Sequence, residues 1–183
     1  GTNPKVSRAL LKFDISEISQ SIVRGTISTD AKYYLNLYDA NPSNLSVTQT
    51  LWAYPISQSW AEGEGFKADN PTTNAGASWN YLDNADDKTQ WYGPLTGSGG
   101  TWFTSVYASQ SLEYETRDIR MDVTPIVNSW LDGTYANEGF IVKRSGSFGN
   151  GDTNTDEGST ERLGNFSFFS RQTNTIYPPK LEV

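Results

Sequence analysis

Arg8-Ala9-Leu10-Leu11-Lys12-Phe13-Asp14-Ile15 is the stretch whose reading decides the fold. Ala9, Leu11, Phe13 and Ile15 occupy every second position, with Arg8, Leu10, Lys12 and Asp14 between them. That is the period of a half-buried strand. Lys32-Tyr33-Tyr34-Leu35-Asn36-Leu37-Tyr38 repeats it, with Tyr33, Leu35 and Leu37 on one face. Further out, shorter β-like runs stand at 48–54, 118–123, 140–143, 166–169 and 180–183. Turn clusters such as Asn41-Pro42-Ser43-Asn44 and Gly97-Ser98-Gly99-Gly100 separate them. Many short strands with this punctuation predict an all-β fold, an antiparallel, jelly-roll-like β-sandwich. Residues 1–183 show no fixed-period repeat and no long linker, so they read as a single domain.

One short helix interrupts the strands. Thr124 is placed to cap it, Pro125 suits its first position, and Gly133 lies just past its end. Ile126, Val127, Trp130 and Leu131 then form one apolar stripe. Ile15-Ser16-Glu17-Ile18 is a second, single-turn candidate. The expected core is Ala9, Leu11, Phe13, Ile15, Leu35, Leu37, Val123, Ile126, Trp130, Phe140 and Val142, and Trp60 also reads as core.

Between Ala61 and Gly100 the periodicity fails, leaving a long loop excursion that is both aromatic and acidic. From Ala61 to Thr116 there are eight acids (Glu62, Glu64, Asp69, Asp83, Asp86, Asp87, Glu113, Glu115) against Lys67 and Lys88. Tryptophans and tyrosines are interleaved with them, and such long loops often carry function. Trp79, Tyr81, Trp91, Tyr92 and Trp102 are the candidate interface or glycan platform, since aromatics anchor loops, fill protein interfaces and stack on sugar rings. The rings of Trp79, Trp91, Trp102 and the flanking Trp60 are expected to turn inward or toward a partner, with the acids outward.

Composition excludes several functions. The 183 residues contain neither His nor Cys, which removes thiol nucleophiles, Cys/His zinc sites and imidazole-based triads. The carboxylate pairs Glu62/Glu64 and Asp86/Asp87 read as surface acids rather than a glycosidase pair, so no catalytic residue is assigned and no enzyme is expected. A net charge of -7 argues against nucleic acid as a partner. No apolar run reaches transmembrane length and the first residues carry no apolar leader, so no membrane partner is expected. No cofactor is expected. Asp152, Asn154 and Asp156 have the 1-3-5 spacing of calcium-loop oxygens, but Glu157 stands where an EF-hand has Gly, and a solvated loop is the plainer reading. Two sequons, at Asn44 and Asn165, match the number that chance produces among 14 asparagines.

The order of the pieces resembles the DNRLRE family of β-sandwich domains. The residues that carry the resemblance include 8–15, 31–38, Ser59-Trp60-Ala61-Glu62-Gly63, Asp122-Val123-Thr124-Pro125-Ile126-Val127, Trp130, Asn137-Glu138-Gly139-Phe140, Phe169-Ser170-Arg171 and Pro178-Pro179-Lys180-Leu181-Glu182-Val183. The stretch from Asn165 to Leu181 looks most like virion structural proteins of tailed marine phages. The resemblance implies a non-enzymatic fibre, capsid-decorating or tail-associated module on a virion exterior, with other virion proteins and copies of itself as partners. The alternative it implies is a carbohydrate-binding module of a surface or adhesion protein, extracellular or on a cell surface, with a glycan as partner. Two departures stand out: the 61–100 excursion is longer than the family's usual connection, and the family's opening strand is missing before Gly1. The second implies a piece of a longer chain, whose strand beside 7–15 is completed by a neighbour or by further residues.

Overall fold

Gln49–Pro55 alternates buried and half-buried residues along its whole length, with Gln49, Leu51, Ala53 and Pro55 inward and Thr50, Trp52 and Tyr54 on the other face. Such a strand is packed on one side and partly covered on the other. In the computed structural model, which describes residues 6–41, 48–64, 75–85, 88–92, 99–113, 118–144, 157 and 166–183, it is β3.

The other strands are β1 (Ala9–Leu11), β2 (Tyr34–Leu37), β4 (Tyr81–Asp83), β5 (Thr89–Gln90), β6 (Ala108–Leu112), β7 (Ile119–Asp122), β8 (Phe140–Arg144) and β9 (Lys180–Glu182). A four-stranded sheet A has the order β1-β8-β3-β6, and a three-stranded sheet B has the order β7-β2-β9. Every pairing is antiparallel. The chain is thus an all-β antiparallel sandwich. Its core lies between the sheets, with Tyr33, Leu35 and Leu37 meeting Leu51, Ala53, Leu112, Phe140 and Val142. Along one side β6 of sheet A lies next to β7 of sheet B. There the Gln110 side chain donates to the Asp118 carbonyl (3.1 Å) and accepts from Arg120 N (2.9 Å), continuing the ladder across the corner with a side chain. Among the described residues β1 pairs only with β8 and forms the far edge of sheet A.

Two helices are present among the described residues, α1 (Ser16–Val23) and α2 (Thr124–Leu131). The expected single turn at 15–18 is a full eight-residue helix, with Ile18 packed on the core and Gly25 in the left-handed region just past its end. In α2, Val123 rather than Thr124 takes the cap position. The Thr124 hydroxyl accepts from Tyr33 N (2.9 Å), and Thr124 N donates to the Asp122 carboxylate (3.0 Å). Ile126, Val127 and Trp130 are buried as the stripe requires, and Gly133 is left-handed (φ 78°).

Three expectations need correction. Ala9 is exposed, because β1 is an edge strand at which the sandwich no longer covers the first position. Leu11, Phe13 and Ile15 are half-buried and pack against the core rather than within it. The 166–169 run makes one bridge, Phe168 to Asp39, instead of a strand.

Candidate functional site

The outer face of sheet A is built by the alternate residues of its strands. Trp52 lies opposite Ser109 of β6 and Lys143 of β8, and Tyr54 lies opposite Ile141. Leu10 of β1 lies opposite Ile141 on the same face, and Thr50 opposite Ser111. The β3/β6 half of this face carries an aromatic strip. Trp52 and Tyr54 are nearly parallel (9°) with centroids 6.1 Å apart. Tyr107, half exposed at 50%, lies 5.0 Å from Trp52 and 6.1 Å from Tyr54. Burial raises the Tyr54 phenol, and the neighbouring Tyr107 and Glu157 raise it further. The rim is hydroxylic: Ser109 and Ser111 are exposed, and Thr50 Oγ1 and Ser111 Oγ are 3.0 Å apart.

The β1/β8 half of the face is covered by described residues of the excursion, among them Ala77, Leu82 and Trp91. The excursion is not devoid of regular structure: β4 and β5 pair as a short ribbon with a register shift between Tyr81 and Asp83. Trp91 is buried against Ile56 and Ile141, with Leu10, Tyr54, Trp60, Ala77, Leu82 and Trp102 packed around them. Polar groups brace this cover internally and attach it to the chain that follows β3, where Ser57 N donates to the Thr101 carbonyl (3.1 Å) and Gln58 Oε1 accepts from Tyr92 N (2.8 Å). Trp91 Nε1 donates to the Ser78 carbonyl (2.9 Å), and Trp60 Nε1 to the Glu138 carbonyl (2.8 Å). Ala77 N donates to the Ala61 carbonyl (2.8 Å).

At the boundary of sheet and cover sits an ion cluster. Arg8 grips Glu157 with two bonds, Nε to Oε1 (3.0 Å) and Nη2 to Oε2 (2.7 Å), and Lys143 Nζ lies 3.3 Å from Oε2. The three side chains are 6%, 1% and 2% exposed. The third nitrogen of Arg8, Nη1, donates to the Gly99 carbonyl (2.6 Å), while its guanidinium lies 4.8 Å from the Trp79 ring and 5.0 Å from the Trp102 ring. Lys143 Nζ also faces Trp102, at 5.4 Å. Burial lowers the neighbouring Arg144, an effect that Glu157 opposes. Two cations, one carboxylate and two indole faces hold each other here, an arrangement suited to locking layers together.

The five aromatics of the candidate platform therefore separate. Trp79 and Trp102 meet around Arg8, and Trp91 enters the cover's core. Tyr81 is half-buried on β4 beneath Lys88, and Tyr92 stands 71% exposed. They form no flat row. Glu62, Glu64 and Glu113 are exposed and Asp83 is half-buried, while Trp91 is buried and Trp60, Trp79 and Trp102 are half-buried, so the tryptophans turn inward and three of the four described acids outward. Asp69, Asp86, Asp87, Glu115, the calcium candidate at Asp152, Asn154 and Asp156, and both sequons lie outside the described residues. Among the described residues no group of three acids is placed to hold a metal ion, and no helix is long and apolar enough to cross a membrane.

Sequence reasoning missed Trp52, Tyr54, Tyr107, Arg8, Lys143 and Glu157. The signal for the first two was present: a strand with aromatics on its second face predicts that this face is also partly covered. No family model, curated protein or solved structure matches the chain.

Proposed function

We propose that the chain is a non-enzymatic structural module that works by protein–protein assembly on a virion exterior, as a fibre, capsid-decorating or tail-associated part. The virion setting rests on the resemblance to phage structural proteins. The assembly role is carried by one observation, the Trp52–Tyr54–Tyr107 strip beside the cover, with hydroxyls of Thr50, Ser109 and Ser111 around it. Aromatic residues are enriched at interface centres, whereas acids such as the exposed Glu62 and Glu64 are depleted there. A cryo-EM map of the particle is expected to show a neighbouring chain seated on Tyr107 and Trp52. Tyr107→Ala is expected to weaken that association by about tenfold or more, as removal of a central aromatic does.

The near-parallel Trp52 and Tyr54 rings favour a second reading, a carbohydrate-binding module, because pyranose faces stack on such rings while hydroxyls accept and donate at the rim. A glycan array separates the two. Glycan binding lost in Tyr107→Ala, with the face bare in the particle, replaces assembly by sugar recognition.

A further inference from the structure

Tyr107 and Tyr177 are both exposed, and each heads a cluster of three rings. Tyr107 heads the strip on sheet A, with Trp52 and Tyr54. Tyr177 lies 5.2 Å from Tyr38 and 6.0 Å from Phe169. Tyr38 continues the row of Tyr34 and Asn36, which alternates with the core residues Leu35 and Leu37, so this second cluster lies on the outer face of sheet B. Next to Tyr177 in the chain, Ile176 stands 76% exposed. The outer faces of two stacked sheets point in opposite directions. One copy therefore offers both clusters at once.

The charges beside the two clusters are opposite. Glu113 continues the outward row of Ser109 and Ser111 past the end of β6 and is exposed on the strip's face. On sheet B, Lys180 Nζ lies 5.8 Å from the Tyr38 ring. Neither Glu113 nor Lys180 has an ion-pair partner among the described residues. The other charges near Tyr38 are engaged: Arg120 pairs with Glu182 (2.7 Å), and the Asp118 carboxylate accepts from Asp39 N (2.9 Å). A twofold dimer through either cluster brings like charges onto one patch. Pairing one cluster with the other sets Lys180 against Glu113.

We propose that the occupant of the strip is a second copy of this chain, which seats Ile176 and Tyr177 on Trp52 and Tyr107 and brings Lys180 to Glu113. The contact joins two different surfaces, so every pair keeps one free cluster at each end and the assembly grows head to tail. This rests on the assembly reading of the strip and adds the neighbour, its contact surface and the polarity of the array.

Sedimentation velocity of the whole chain over a concentration series tests it. The average mass of the parent is expected to climb past that of a dimer. Tyr107→Ala and Ile176→Ser each weaken association by about tenfold or more. Their equimolar mixture nevertheless forms a one-to-one pair and stops there, because the intact 176–177 segment of the first fits the intact strip of the second. Glu113→Lys and Lys180→Glu each weaken growth by about threefold to tenfold, and the double variant recovers it. If Tyr107→Ala does not fold, the charge exchange decides alone. A parent that stays monomeric or stops at a dimer overturns the proposal. So does association that Tyr107→Ala impairs and Ile176→Ser does not, an outcome that keeps the strip as an interface for a different partner. Association unchanged in both variants overturns it too, and a bare strip in the particle map then removes the assembly reading as well.

Discussion

Trp130 and Tyr33 show how differently two buried aromatics act on stability. Trp130 is 6% exposed and meets the Phe140 ring edge-on at 4.7 Å, linking α2 to β8. Trp130→Ala is expected to destabilise the protein by about 3–5 kcal/mol in chemical denaturation, the usual loss for a large core aromatic. Tyr33 is fully buried, but its hydroxyl has no hydrogen-bond partner among the described residues. Tyr33→Phe removes an unsatisfied polar atom and is expected to leave stability at pH 7 unchanged or higher. Burial also raises the Tyr33 phenol above its ordinary value of 10.0. Above that pH the unfolded chain releases a proton that the folded chain retains, so stability falls as pH rises. The alkaline limb of a denaturation-versus-pH curve should therefore be shallower in Tyr33→Phe. The inward position of Tyr33 was legible from alternation alone. The orphaned hydroxyl was not, because the partners of a side-chain oxygen depend on what the fold brings near it.

At the scale of elements, α2 depends on a carboxylate outside it. Asp122 is held below its ordinary value of 3.8 first by its hydrogen bond with the Thr124 side chain, and a bond to the Thr124 backbone adds to this. Its contribution is complete above that value and is lost as pH falls through the lower folded value. Asp122→Ala is expected to weaken the protein by about 0.5–2 kcal/mol at pH 7, as loss of a helix-start acceptor does, and to flatten the acid limb below pH 4. Glu182 follows the same sign: Arg120, and then Asn36, lower it, so the attachment of β9 to β2 and β7 also weakens in acid. Gly139 gives an element-scale test of the β1 edge. Its φ is +90°, and a Cβ there would meet the Leu11 carbonyl, so Gly139→Ala is expected to loosen β1 from β8 and raise exchange at Leu11. Elements such as β7 and α2 were legible because one face of each is buried and its period shows, and β2 because Tyr33, Leu35 and Leu37 alternate; β8, buried on both faces, reads instead as a short apolar run. The β4/β5 ribbon was not, since strands of three and two residues with a register shift carry no period to read.

For the molecule as a whole, the sequence pattern locates two sheets but hides the third layer. Alternation assigns Trp52 and Tyr54 to the second face of β3 without saying what lies over them, and the Arg8–Glu157 contact spans almost the entire chain. Long-range ion pairs leave no local signature. The five aromatics of the candidate platform lie apart for the same reason: nearness in sequence within an aperiodic segment does not predict a shared plane. The layering also sorts the six tryptophans. Trp130 alone lies in the core between the sheets, while Trp60, Trp91 and Trp102 pack in the second cluster, Trp79 lies on Arg8, and Trp52 stands on the outer strip. Intrinsic fluorescence is thus dominated by indoles outside the main core. A melt followed by indole emission records the outer layer leaving, whereas far-ultraviolet circular dichroism records the sheets, and the two midpoints need not coincide.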